Sequence, residues 1–335
     1  MGSEMCIRDS ALTAGGFIAS AGLESYYSHG FMTAGANGGA VHSAVQNSTL
    51  AFVRASLENF VSSTLPYVHA GYKLAEEGID APGADLAGTL HTLAVLDWRY
   101  HTLVLNHVAR RASTIQGMAI LSLYSRSFAA PLTSPGSERS ARASELIAAL
   151  RAAIRRGGAQ LGSGALSLQD NAMAGHLCVC AGVFSAAAGL SLDRALRLQL
   201  FLQARNLMSC SIRLNTLGPY VAHQLLMFEL RAMVHELLTK YSTRAGHALC
   251  TQARARATAL ASPEASSNSV AASASAPPET PTPAPAPPSP APSSWDWDWD
   301  DDEPAAPLDM PATCWPLGEI VQARHDQLHS RLFNS

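Results

Sequence analysis

His176-Leu-Cys178-Val-Cys180 places three soft donors within five residues, the ligand types that zinc or nickel takes. A helix turns about 100° per residue, so donors two apart point in different directions. The flanking run Leu177 to Leu190 is strongly apolar. Core packing of the two thiols is therefore the preferred reading, with a small metal-binding helical module at His176, Cys178 and Cys180 as the alternative. His325 and His329, four apart, would share a helix face as a metal pair, but no third ligand lies near and ordinary surface or interface histidines suffice. Ser20 lacks the glycine two residues before it that a hydrolase elbow needs, and no base or oxyanion donor stands out. Gly15-Gly16 and Gly35-Ala-Asn-Gly-Gly39 lead to no Gly-Lys-Ser/Thr and no dinucleotide fingerprint, so they read as turns without a nucleotide. The run Trp295-Asp-Trp-Asp-Trp-Asp300 to Glu303 reads as a solvated acidic stretch. These residues predict no catalytic, cofactor or metal site, and hence a protein that is not an enzyme.

The elements around them are helical. Leu50, Val53, Leu57, Phe60 and Leu65 draw one apolar stripe, and Pro66 limits that helix. His91 to Ile120 is a longer periodic stretch with Leu93, Leu96, Leu103 and Val104 as core candidates. Leu177 to Leu190 is too short to span a bilayer and reads as a buried helix that Gly189 ends. Ser191 caps the next helix, with Asp193 at its positive end. Gly218-Pro219 marks a stop and restart, with Gly218 as a left-handed cap and Pro219 in a first turn. Loops are expected at Gly35 to Gly39 and Pro131 to Gly136, and no stretch alternates with a period of two. The fold class is all-α, one helical bundle domain of about seven to ten helices.

Of 335 residues, 47% are apolar and only 15% charged, so part of the surface is expected to be covered by partner proteins. The net charge of −3 and the absence of any Lys/Arg block argue against nucleic acid and against an anionic membrane. The six cysteines form no disulfide ladder, which fits a reducing, cytoplasmic setting. Residues 1–9 show no signal-peptide pattern and are set aside as an uncertain N-terminal remnant. Residues 10–261 form the helical domain. Residues 262–311, rich in Pro, Ala and Ser and then acidic, are expected to be a disordered linker. Residues 312–335 regain apolar side chains and are expected to be a partner-docking segment.

Five stretches in register carry a resemblance. Asp9 to Phe17 with Gly22-Leu-Glu24, Arg111 to Gly117, His176 to Leu190, Arg213 to Pro219 with Gln224, and Trp315 to Ser335 together resemble the UreF family of urease accessory proteins, of the eukaryotic type. Thr13 and Ala14 depart from the family's usual Pro and small residue, and the resemblance does not extend to the 262–311 insertion. It implies an all-helical accessory protein that tends to form a homodimer. It implies a UreD/UreH-type accessory protein and a UreG-type GTPase as partners, in a complex that inserts nickel into apo-urease, with no cofactor of its own. Gly15, Gly16, Gly22, Ser113, Gly117, Arg213, Gly218 and Pro219 are the structural motif positions. Phe17, Glu24, Tyr26, Arg324, His325, Arg331, Leu332 and Phe333 are the candidate partner-binding residues, with Arg331 as a charged anchor beside apolar Leu332 and Phe333.

Overall fold

A computed structural model describes residues 19–32, 41–81, 83–129, 137–163, 172–261 and 310–333. Phe17, Gly15, Gly16, the loops at 35–39 and 131–136, the N-terminal remnant and nearly all of the 262–311 segment lie outside the described residues.

Among the described residues the secondary structure is helical and no strand occurs. The α-helices are α1 (Leu23–Ser28), α2 (Val41–Ser63), α3 (Leu65–Asp80), α4 (Leu86–Leu103), α5 (His107–Leu123), α6 (Glu138–Ser163), α7 (Leu177–Ala187), α8 (Leu192–Arg213), α9 (Pro219–Met227), α10 (Glu229–Lys240), α11 (Thr243–Ala261) and α12 (Pro316–Ala323). Nine of these have eleven or more residues, within the expected range; α1, α9 and α12 are short. A π-turn (Tyr124–Phe128) extends α5, and a 3-10 turn (Arg324–Gln327) follows α12.

Helix α7 is the axle of the body. Every residue from Cys178 to Ala187 is buried, because its neighbours α3, α5, α6 and α8 surround it. Their apolar faces form one core with α4 and α11. A second core joins α1, α2, the C-terminal half of α8, α9, α10 and Phe333 from the chain's end. The Leu50–Leu65 stripe contributes fully buried Val53, Leu57 and Leu65. Pro66 sits in the first turn of α3, where its missing N–H costs nothing.

Three local expectations change. The stretch His91 to Ile120 is two helices, broken at Val104–Asn106, because the Asn106 side chain accepts from Val108 N (3.0 Å) and Ala109 N (3.3 Å) and starts α5. Ser191 holds the N-cap position of α8 without a side-chain capping bond. Gly218 is the extended N-cap of α9 (φ −68°), and the left-handed residue that closes α8 is Asn215 (φ 56°), whose short polar side chain tolerates that region.

Candidate functional site

The C-terminal segment folds back onto α1 and α5, and one carboxylate holds it. Gly22, left-handed at φ 87°, starts α1 where a Cβ would lie 3.1 Å from the Cβ of Gln322 on α12. That close approach turns Glu24 into the body, 3% exposed. Its carboxylate accepts from Leu332 N (2.5 Å), Phe333 N (3.2 Å) and His325 Nε2 (2.9 Å). A buried charge needs such a set of donors, so position 24 ties to residues some 300 positions later in the chain. Fully buried His325 points its Nδ1 toward Asp326 Oδ1 at 3.9 Å. Phe333 is buried in the second core with the Arg213 guanidinium 4.1 Å above its ring.

A second tie lies outside the first. Asp326 takes both arms of Arg111 (2.9 Å each), Arg331 Nη1 (3.0 Å) and His107 Nε2 (3.4 Å). The Arg111 guanidinium, ahead of Arg331 and His107, holds this carboxyl at about 2. Asn106 adds donations to Glu319 O (3.2 Å) and Gln322 Oε1 (3.4 Å), so the residue that caps α5 also fastens α12. Around these ties Leu105, Ile115, Leu317, Ile320 and Leu332 remain exposed, Leu105 at 84% and Leu332 at 69%.

Beneath the segment is a cavity of about 190 Å³. Thr313, Trp315, Glu319 and Gln322 roof it, and amides such as Asn59, Gln116, Gln199 and Gln203 line it. Burial pushes Tyr100 and Cys178, which also line it, far up, so both keep their protons at neutral pH.

The donors His176, Cys178 and Cys180 go separate ways. Asp97, fully buried in α4, accepts from Gly175 N (2.9 Å) and His176 N (2.8 Å) and so holds the start of α7. The His176 ring meets His101 Nδ1 (3.0 Å) and Ser113 Oγ (3.2 Å), and Ser113 Oγ also accepts from Leu177 N (3.0 Å). Burial pushes His176 down to about 3 and His101 to about 4, and it raises both thiols. At Gly117 a Cβ would lie 2.0 Å from Gly175 O, which fixes why that position is glycine. The described residues hold no group of three or more His, Cys, Asp or Glu placed to bind a metal ion. His325 and His329 do not share a helix face, since the 3-10 turn ends at Gln327 and His329 stands exposed beyond it. Ser20 is fully buried and its Oγ meets no partner, which gives no nucleophile.

The candidate partner residues divide. Glu24, His325 and Phe333 are interior ties, Leu332 and Arg324 are exposed, and Arg331 is engaged with Asp326. Tyr26 is half-buried, stacked on Phe31 (5.1 Å) and against Phe52 (5.0 Å). Pro219 opens α9, and next to it Tyr220 is 90% exposed; with Ile212, Met227 and Phe228 it leaves a second apolar tip. Sequence reading passed over Asp97, Asn106 and Asp326. An acid directly after the apolar run Leu93 to Leu96, and an Asn before a helical pattern, were the available signals for the first two.

Ties that hold a terminal segment over an all-helical body, with apolar side chains left exposed, define the class by its architecture: a helical domain with a fastened C-terminal arm. The chain belongs to the UreF family, whose match covers residues 44–231. It is similar to urease accessory protein 6 of Cryptococcus neoformans var. grubii, 31% identical over 354 residues that cover 98% of this chain and 95% of that one. The chain is thus a urease accessory protein of the UreF family, without turnover of its own. Among the described residues no helix is long and apolar enough to cross a membrane.

Proposed function

We propose that the chain is the scaffold joining a UreD/UreH-type accessory protein to a UreG-type GTPase, as a homodimer in the cytoplasm, so that the GTPase cycle is coupled to nickel insertion into apo-urease. Family membership supports the setting. The observation that carries the docking role is the Glu24 clamp, which fixes the terminal segment while its Ile320 and Leu332, like Leu105 and Ile115 of the body, stay exposed. Apolar side chains held on a rigid base lose little entropy when a partner covers them. The α9–α10 tip with Tyr220 and Phe228 offers a separate second surface, as a scaffold with two partners needs.

The test is co-purification of Ile320→Asp/Leu332→Asp with each partner alone. Both side chains are exposed, so the body stays folded. The expected result is loss of one partner with retention of the other. Retention of both at wild-type level removes this face from the docking role.

A further inference from the structure

The run Trp295 to Glu303 holds six of the chain's 26 acidic residues, so the remainder of the chain is net positive. Its exit point is fixed. Met310, seven residues beyond Glu303, seats its Sδ between Arg99 Nη2 of α4 (3.7 Å) and Gln252 Nε2 of α11 (3.3 Å). Arg256 follows Gln252 by one helical turn and is exposed on the same flank. On the other side of Arg99, Trp98 Nε1 donates to Ala172 O (3.0 Å), and Met173 N donates to Ala153 O of α6 (3.4 Å). Arg156, three positions after Ala153, is exposed on that flank of α6. Helical spacing thus puts Arg256, Arg99 and Arg156 in line across α11, α4 and α6; Arg99, half-buried, also bonds the Tyr67 hydroxyl, and none of the three makes an ion pair among the described residues.

We propose that the acidic-aromatic run Trp295–Glu303 of this same chain docks on the stripe formed by Arg99, Arg156 and Arg256. Three adjacent helices at about 10 Å spacing span about 20 Å. Seven residues reach about 24 Å, so the run arrives at the stripe with its own length still to lay across it. Alternating Trp and Asp suits guanidinium groups twice over, by ring stacking and by carboxylate pairing. Docking in cis gains from the short tether, which keeps the local concentration of the run high.

The test is 15N NMR of the full chain, reading the indole N–H signals of Trp295, Trp297 and Trp299 after assignment by Trp→Phe substitution. At about 20 mM salt these signals are displaced from those of a synthetic Ser293–Pro304 peptide, and they relax like the indole of Trp98. In Arg156→Glu/Arg256→Glu, or at about 0.5 M NaCl, they collapse onto the peptide positions while Trp98 stays put. Two results overturn the proposal: signals in the wild-type chain that already coincide with the free peptide at low salt, or displacements that vanish on dilution, which report contact between molecules.

Discussion

Glu24→Ala tests the clamp at its centre. The carboxylate accepts two backbone N–H groups and one ring N–H, all buried or part-buried. Each donor left without an acceptor costs about 1–3 kcal/mol, and water reaching the part-buried Leu332 amide recovers some of it, so the arm loses on the order of 3–6 kcal/mol of docking stability. At about 1.4 kcal/mol per tenfold, the amides of Leu332 and Phe333 exchange with solvent roughly 10²- to 10⁴-fold faster, up to the limit set by full release of the segment. Hydrogen exchange by mass spectrometry reads this directly on the C-terminal peptide, with the α7 peptide as internal control. Glu24→Gln keeps one accepting oxygen and falls between the two. Unchanged protection at Leu332 and Phe333 in folded Glu24→Ala refutes the clamp. Equal loss across α7 refutes it differently, by showing that Glu24 supports the whole body.

Other outcomes follow from the interior. Gly117→Ala drives a methyl into the Gly175 carbonyl and lowers stability by about 3 kcal/mol or more in urea unfolding; a change under about 1 kcal/mol contradicts the close approach. Asp97→Ala leaves the Gly175 and His176 amides buried without an acceptor, and it lowers stability by about 2–5 kcal/mol in the same titration, whereas a surface change such as Arg197→Ala stays within about 0.5 kcal/mol. Folded His69, His101 and His176 sit at about 4, 4 and 3, below the ordinary 6.5. The unfolded chain therefore takes up protons first as pH falls. Their contribution is complete above about pH 6.5 and is lost on descending toward pH 4 and then 3, at up to about 1.4 kcal/mol per pH unit for each of the buried His69 and His176 and less for the partly exposed, solvent-screened His101. A denaturation free energy that is flat from pH 7 to pH 5 contradicts the burial of these rings. Asp326 acts in a lower window: its contribution is present above about pH 4 and goes as pH falls through about 2.

The helical class was readable because the spacing of Val53, Leu57 and Leu65 and the apolar density of Leu177 to Leu190 report burial locally. The break before Asn106 was hidden, since neither Gly nor Pro marks it and the signal is one side-chain bond. The site was less legible. Glu24 and His325 were both singled out, but as partner contacts, because nothing local tells that residues 301 positions apart meet each other. Arg331 was read as an anchor for a partner for the same reason: its type suits an interface, and only the fold brings Asp326 beside it. The thiols of Cys178 and Cys180 are buried, and a period of two on a helix, which separates the two donors, is legible in the sequence.

Size-exclusion chromatography with light scattering on the chain co-expressed with a UreG-type GTPase and a UreD/UreH-type protein probes the scaffold role most directly. The predicted result is one species containing all three components, with two copies of this chain, that splits when Ile320 and Leu332 are both changed to Asp. Separate elution of the wild-type chain from both partners contradicts the account.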